Sequence, residues 1–215
     1  MNFEKQLEAL GPFWERIDFP NGISTGPGRA KAGLWKEYIG SYFQDGIFKD
    51  KSILDIGCNA GGNLIELSKF NPKKLVGVDY SDKYCQQAKF VCEQFDLDVE
   101  IVQYSFDGVK SSSEIAQDLG KFDFIFCLGV IYHQKFNAVY EMLKYIHNNS
   151  ERSFYSTQTK DIGNNRTHID WEISEEGTKK IFQQIGYSEI NDIYRKSSTD
   201  NWESLTNDWY FEAKH

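Results

Sequence analysis

Residues 52–67 read SILDIGCNAGGNLIEL: a short apolar run, a turn with three glycines, and the start of an amphipathic segment. The run SILDI suits a buried strand, and Leu64, Ile65, Leu67 and Phe70 fall on the 3.6-residue stripe of a helix. Gly57, Gly61 and Gly62 permit a tight turn and a close backbone approach between the two elements. In open parallel sheets ligands bind at the carboxyl ends of strands, and this strand delivers Asp55 and Gly57 there.

The same alternation continues outward. KKLVGVDY is a second strand, and SDKYCQQAKFVCEQFDL a helix with Ser81 as its cap and Tyr84, Ala88, Val91, Cys92 and Phe95 as its inner stripe. VEIVQY is a third strand, EIAQDLG a short helix or turn, and FDFIFCLGVIYH a fourth strand running into a loop. FNAVYEMLKYIHNN is a helix, RSFYSTQT a fifth strand, and SEEGTKKIFQQIG a helix from the cap Ser174 to Gly186. YSEINDIYR and DWYFEAKH close the chain as two strands without a helix between them. Alternating strands and helices imply an α/β, doubly wound, Rossmann-like sheet of seven mostly parallel strands, because right-handed crossovers place helices on both faces. The final hairpin adds an antiparallel C-terminal strand at an edge.

Toward the N-terminus, Gly11–Ala32 is rich in glycine and proline and reads as loop, yet it carries Phe13, Trp14 and Phe19. Such aromatics need a surface to pack on, so residues 1–45 are expected to form a helix and loop cover over the active site of a domain spanning 46–215.

The glycine turn discriminates between two nucleoside cofactor classes. Dinucleotide sites use G-x-G-x-x-G with a pyrophosphate at the helix N-terminus. Here the spacing is G-x-x-x-G-G, and the carboxylate of Asp55 would repel a pyrophosphate while favouring a cationic ligand. S-adenosylmethionine carries both an ammonium and a sulfonium. Asp79 ends the second strand about 20 residues on, where a carboxylate can accept both hydroxyls of a ribose. Cys58 and Tyr80 flank these positions, and Ser105, Phe106 and Asp107 end the third strand where an adenine edge and face would lie.

At these residues the sequence resembles the class I S-adenosylmethionine-dependent methyltransferases: L-D-I-G-C-N-A-G-G followed by V-G-V-D matches their first two motifs in order and distance. Asn59 stands where the commonest first motif has its middle glycine. FDFIFCLGVIYHQKFN and WERIDFPNGISTGPG are similar to segments of a narrower group, the tRNA wobble-uridine carboxymethyl-transfer and methoxyuridine-type enzymes. IDWEIS with KKIFQQIGY is a looser likeness to a late stretch of that group, without its proline. The resemblance implies the class I methyltransferase fold, Asp55, Gly57, Asn59 and Gly61 around the methionine moiety, Asp79 on the ribose, and Leu128 with Tyr132 near the reacting end. The basic residues used by the branch with a carboxylated cofactor find no match, so ordinary S-adenosylmethionine is the expected donor.

A hydroxyl acceptor must lose its proton during attack, which calls for a base near the end of the fourth strand. His133, beside Tyr132, is a candidate, and RTHIDWE offers His168 and Asp170. Trp14 and Trp171 are candidate acceptor walls, and Arg16, Arg29 and Arg166 candidate partners for an acceptor phosphate or carboxylate.

Composition bounds the acceptor. The chain of 215 residues has 24 basic and 32 acidic side chains, a formal net charge of -8. Transfer RNA binding depends on neutralising phosphates, so the charge favours a small polar acceptor, such as a sugar or nucleotide-linked sugar, over nucleic acid. A tRNA-modifying methyltransferase is the alternative, and a non-catalytic cofactor-binding module a second one. MNFEKQLEALGPFWERIDF lacks the order of a signal peptide and no apolar run suits a bilayer span, so a cytoplasmic protein without membrane partners is expected. Cys58, Cys85, Cys92 and Cys127 match no metal spacing and read as buried thiols, with no metal site expected.

Overall fold

The computed structural model describes residues 2–26, 29–30, 39–43, 46–158, 171, 174–195 and 208–214. The chain divides into two compact units, Met1–Ser105 and Phe106–His215. The first contains α1 (Phe3–Ala9), the two-residue strands β1 (Glu15–Arg16) and β2 (Arg29–Ala30), β3 (Ser52–Ile56), α2 (Gly62–Ser68), β4 (Lys74–Asp79), α3 (Asp82–Gln94) and β5 (Glu100–Gln103). The second contains α4 (Ser112–Leu119), β6 (Phe122–Leu128), α5 (Phe136–Asn149), β7 (Ser150–Gln158), α6 (Glu175–Ile185), β8 (Glu189–Arg195) and β9 (Asp208–Lys214).

Seven strands form one mixed sheet in the order β5-β4-β3-β6-β7-β9-β8, and β1 pairs with β2 in a separate parallel ladder. In the first unit β3 runs parallel to β4, from Ser52 opposite Lys74 to Ile56 opposite Val78, and β4 runs parallel to β5. In the second, β6 and β7 are parallel while β9 is antiparallel to both β7 and β8. This is the doubly wound, mostly parallel arrangement anticipated by the alternation, and the class I methyltransferase fold that the resemblance implies, with one difference. The antiparallel strand β9 lies inside the sheet and β8 forms its edge. Burial explains the choice: Trp209 and Phe211 are fully buried, and Tyr155 on β7 stacks on Phe211 with ring centroids 5.4 Å apart.

The inner row of α3 is wider than the stripe read from its sequence. Ala88, Val91 and Cys92 are buried as expected, but so are Gln87 and Phe90. The N-terminal segment covers that second face. Ile17, Phe19, Phe90 and Val91 form a buried cluster on which Phe3, Leu7, Leu10 and Phe13 pack. The Gln87 amide donates to the carbonyls of Leu10 and Pro12 at 3.1 and 3.2 Å. Burying a side chain the size of Phe19 contributes about 2 to 3 kcal/mol, enough to hold a short segment in place.

Much of the region read as loop is a hairpin. Thr25 N–H donates to Ile17 O at 3.0 Å, and Phe19 N–H donates to Ile23 O at 2.8 Å. Between them Pro20-Asn21-Gly22 makes the turn, with the Asn21 side chain accepting from Ile23 N–H at 3.1 Å. Residues 15, 17 and 19 point inward and 16 and 18 outward, the period of a strand.

Helix ends follow local chemistry. Ser111 and Glu114 form a reciprocal capping box on α4, Ser174 caps α6, and Gly186 ends α6 in a left-handed conformation. Ser81 precedes α3 without a side-chain cap bond, so the expected serine cap is not made. Asp79 takes over part of that role by accepting from Ser81 N–H. All four cysteines are buried and outside disulfides. Among the described residues no helix is long and apolar enough to cross a membrane, and no cluster of side chains suits a metal ion.

Candidate donor and acceptor sites

The donor side is built on the ends of β3 and β4. The amides of Gly57 and Cys58 both donate to Val78 O, at 2.8 and 3.0 Å, and pull the chain leaving β3 across β4. Gly77 makes that crossing possible. A Cβ there would lie 2.8 Å from Leu64 Cδ1 and 3.0 Å from Cys58 Sγ. Asn59 stands at φ 49°, a left-handed conformation that asparagine tolerates better than other non-glycine residues. Its side chain accepts from Ala60 N–H at 2.7 Å, which accounts for asparagine in place of the usual glycine. Gly61, at φ 91°, then turns the chain into α2.

Asp79 is tied to this turn. Its Oδ2 accepts from Asn59 N–H and its Oδ1 from Ser81 N–H, both at 3.0 Å, and its carbonyl accepts from Tyr104 N–H at 2.9 Å. The carboxylate is thus oriented before any ligand arrives, and each oxygen has capacity for a further hydrogen bond. Burial raises the Asp79 pKa above the ordinary carboxylate value, against the opposing pull of the amides of Ser81, Asn59 and Tyr80. Asp55 is fully buried on β3. Burial, followed by the charges of Asp55 and Asp79, pushes the Cys58 thiol well up, so it serves packing and not nucleophilic chemistry. Tyr80 is exposed, with its carbonyl held by the Gln103 side chain.

Sequence reading missed one residue here. Glu15 is only 3% exposed, and its Oε1 accepts from Gly62 N–H, in the glycine turn, at 2.9 Å. The signal available was the alternating E-R-I-D-F followed by P-N-G, a strand and turn pattern in which an acid occupies an inward position. With the Gly62 amide given to a carboxylate, the turn is poorly furnished for a pyrophosphate. The carboxylates of Glu15, Asp55 and Asp79 around this turn instead suit a cationic nucleoside such as S-adenosylmethionine.

Ser105 and Asp107 are exposed, Asp107 accepting from Val109 N–H at 2.9 Å in a local turn. Phe106 is buried and packs toward Tyr145, with ring centroids 6.4 Å apart. Gly108 lies too close to α5 for any side chain, since a Cβ would meet Ala138 N at 2.9 Å.

In the second unit, Leu128 ends β6 buried, and the chain turns through Gly129, at φ 79°, into a single 3-10 turn over Ile131–His133. Tyr132 is half-buried, its hydroxyl 3.3 Å from where a Cβ on Gly129 would stand. Its ring lies 4.4 Å from that of His133, which is exposed. Trp171 donates from Nε1 to Gln134 O at 3.0 Å, tying a later segment to this loop. The structure therefore brings Tyr132, His133 and Trp171 to one loop region. Trp14 and Arg16 are exposed in the first unit, where Arg16 pairs with Asp18 at 2.8 Å. Arg29 lies in β2, its side chain outside the described set, and Arg166, His168 and Asp170 lie outside the described residues.

Comparison with known proteins agrees with this geometry. Residues 53–150 match the family model described as "Methyltransferase domain". The tRNA U34 carboxymethyltransferase of Helicobacter pylori (strain P12) is 39% identical over 101 residues, 45% of this chain and 38% of that protein. The enzyme of the same name from Campylobacter lari is 42% identical over 93 residues, 43% of this chain and 29% of that one. The chain thus spans well under half the length of these relatives. Among solved structures, the N-terminal domain of EvdMO1 with SAH bound has a TM-score of 0.72 at 17% identity, covering 100% of this chain and 97% of that one. Magnesium protoporphyrin IX methyltransferase from Synechocystis PCC 6803 with bound SAM has a TM-score of 0.56 at 16% identity, covering 79% and 72%. Residues 53–150 are thus similar to a methyltransferase domain, and the chain has the class I methyltransferase fold.

Proposed function

We propose that the protein transfers a methyl group from S-adenosylmethionine to a hydroxyl oxygen of a small polar acceptor, such as a sugar or nucleotide-linked sugar. The observation that carries the acceptor class is charge: a net -8 on 215 residues, with buried acids lining the donor turn, opposes a polyanion. The likeness to EvdMO1, also crystallised in the presence of SAH and D-fucose, supports the same reading.

S-adenosylmethionine supplies an activated methyl on a sulfonium. The protein's own part is alignment and exclusion of water. Asp79 fixes the ribose through its two oxygens, and Asp55 and the turn from Gly57 to Gly61 receive the methionine moiety. Residues 1–45 cover this half, with Glu15 as their contact with the turn. Tyr132 borders the acceptor, and His133 takes the acceptor proton as the hydroxyl attacks. Trp171 holds the loop that carries both.

A second reading is a tRNA-modifying methyltransferase, favoured by the 39% identity to a tRNA U34 carboxymethyltransferase. That identity extends over 101 residues, 45% of this chain and 38% of the relative. Incubation with methyl-labelled S-adenosylmethionine separates the readings. Label entering a panel of sugars and sugar nucleotides supports the first, and label entering bulk tRNA overturns it. Donor binding without label in either pool points to a binding module without transfer activity.

A further inference from the structure

Ser153, Tyr155 and Thr157 alternate onto one face of β7, and their bonding changes along the strand. Ser153 donates from Oγ to Ala213 O at 3.3 Å, and the hydroxyl of Tyr155 lies 2.6 Å from that of Tyr187, which donates to Leu143 O at 3.2 Å. Thr157 breaks the series. It is 1% exposed, and its Oγ1 has no hydrogen-bond partner among the described residues. The same holds for Thr178 on α6, also 1% exposed.

These two hydroxyls belong to one layer. Tyr155 packs edge-on against Phe182, with ring centroids 4.8 Å apart, so the inner side of α6 rests on this face of β7. The helix runs back along the strand: Gly186 ends α6, and Ser188 N–H donates to Lys214 O beside the start of β7, where Ala213 pairs with Ser153. Thr178 precedes Phe182 by four residues, about 6 Å of helix, and Thr157 follows Tyr155 by two, about 6.6 Å of strand. Both therefore stand at a similar height above the Tyr155–Phe182 contact, toward the carboxyl end of β7. Trp209, paired with Thr157, borders the layer, and Lys179 places Nζ 5.6 Å from the centre of its ring. Leu128 pairs with Ser156, so the layer is level with the end of β6 that leads into the Tyr132–His133 loop.

A buried hydroxyl without a partner is costly, and two on facing elements, making no bond with each other, call for a group between them. Its charge is constrained. The first turn of α6 carries Glu175 and Glu176, which pair with Lys179 and Lys180, so the helix N-terminus is already supplied with negative charge and disfavours an anion. Two threonines offer no charge to a cation. A hydroxyl, which both donates and accepts, matches them. We propose that Thr157 and Thr178 form a subsite for one uncharged hydroxyl group from outside the chain, supplied by the acceptor or by a water that the acceptor displaces. In its acceptor form the inference rests on the sugar reading above and deepens it, because it places the recognition of a hydroxyl that is not itself methylated.

Valine has nearly the shape of threonine and removes only the hydroxyl. With the subsite filled, Thr157→Val and Thr178→Val each lower the urea midpoint of unfolding, and the double variant loses less than the sum, because the first valine already releases the shared group. A midpoint at or above wild type in either single variant, or strictly additive losses, overturns the proposal. Nuclear magnetic resonance of the wild-type protein with S-adenosylhomocysteine separates the two sources. Cross-relaxation from water to both threonine methyls identifies water. Saturable shifts of both methyls with D-fucose, weakened about 5-fold or more in either variant, identify an acceptor hydroxyl. Neither signal overturns the subsite. Methyl label entering tRNA while water occupies the layer overturns the sugar reading and leaves the subsite standing; label entering a sugar with both valine midpoints at wild type overturns the subsite alone.

Discussion

The ends of β4 and β6 are both strand ends in the same sheet, but they are built differently. At β4, Asp79 accepts from three backbone amides, Gly77 lets two elements close over the strand, and the turn beside it is stitched by four further backbone and side-chain bonds at Gly57, Cys58, Ala60 and Gly62. At β6, the chain leaves through one 3-10 turn that presents an exposed histidine and a half-buried tyrosine. The first is a preorganised receptor whose ligand can be named from backbone chemistry. The second, in the proposed function, presents side chains to the acceptor. A methyltransferase of fixed donor and variable acceptor needs this division.

The widest test of the contrast is at β6. If His133 is the base for a hydroxyl acceptor, His133→Ala lowers kcat by about 100-fold or more with donor affinity intact. An unaltered rate at saturating substrates removes it from the proton path. At β4 the expected effect is the reverse, on binding. Asp79→Ala should weaken S-adenosylmethionine by roughly 1 to 3 kcal/mol, measured by calorimetry. Equal affinity in the variant would sink the ribose assignment.

Gly77→Val probes the packing under the turn. With Leu64 and Cys58 already inside contact distance, the fold should lose about 1 to 3 kcal/mol in denaturant unfolding. A neutral result would show that the turn is looser than the geometry indicates.

At Asp79, stability and donor affinity respond to pH in opposite directions. Its folded pKa is raised by burial, so the folded state prefers the protonated acid relative to the unfolded chain. The corresponding stability is present below the ordinary carboxylate pKa of about 4 and lost as pH rises through the raised value. Donor affinity moves the other way: it should fall as pH drops through that same window, and an affinity flat across it would show that the charged carboxylate is not required. The smallest effect is expected away from both ends. Ser111→Ala removes the α4 capping box and should cost about 1 kcal/mol of stability, leaving donor affinity unchanged.

The contrast also explains what the amino-acid sequence disclosed. Gly57 and Gly61 were legible because their left-handed backbone conformation demands glycine. The helix α5 and the caps at Ser174 and Gly186 were legible for the same local reason. Glu15 was not. Its partner Gly62 is 47 residues away, and proline and glycine around it suggested loop where Ile17, Phe19, Ile23 and Thr25 make a hairpin. The buried face of α3 at Gln87 and Phe90 was hidden by the same segment. The position of β9 between β7 and β8 depended on long-range packing of Trp209 and Phe211, which periodicity does not encode. The acceptor residues stayed open because exposed side chains on a loop follow the substrate and not the fold.

The central claim is that the turn from Gly57 to Gly62, with Asp79, holds S-adenosylmethionine and not a dinucleotide. Calorimetric titration of the wild-type protein with S-adenosylhomocysteine and, separately, with NAD tests it directly. The account predicts saturable binding of the first and none of the second; binding of NAD with no heat from S-adenosylhomocysteine would contradict it.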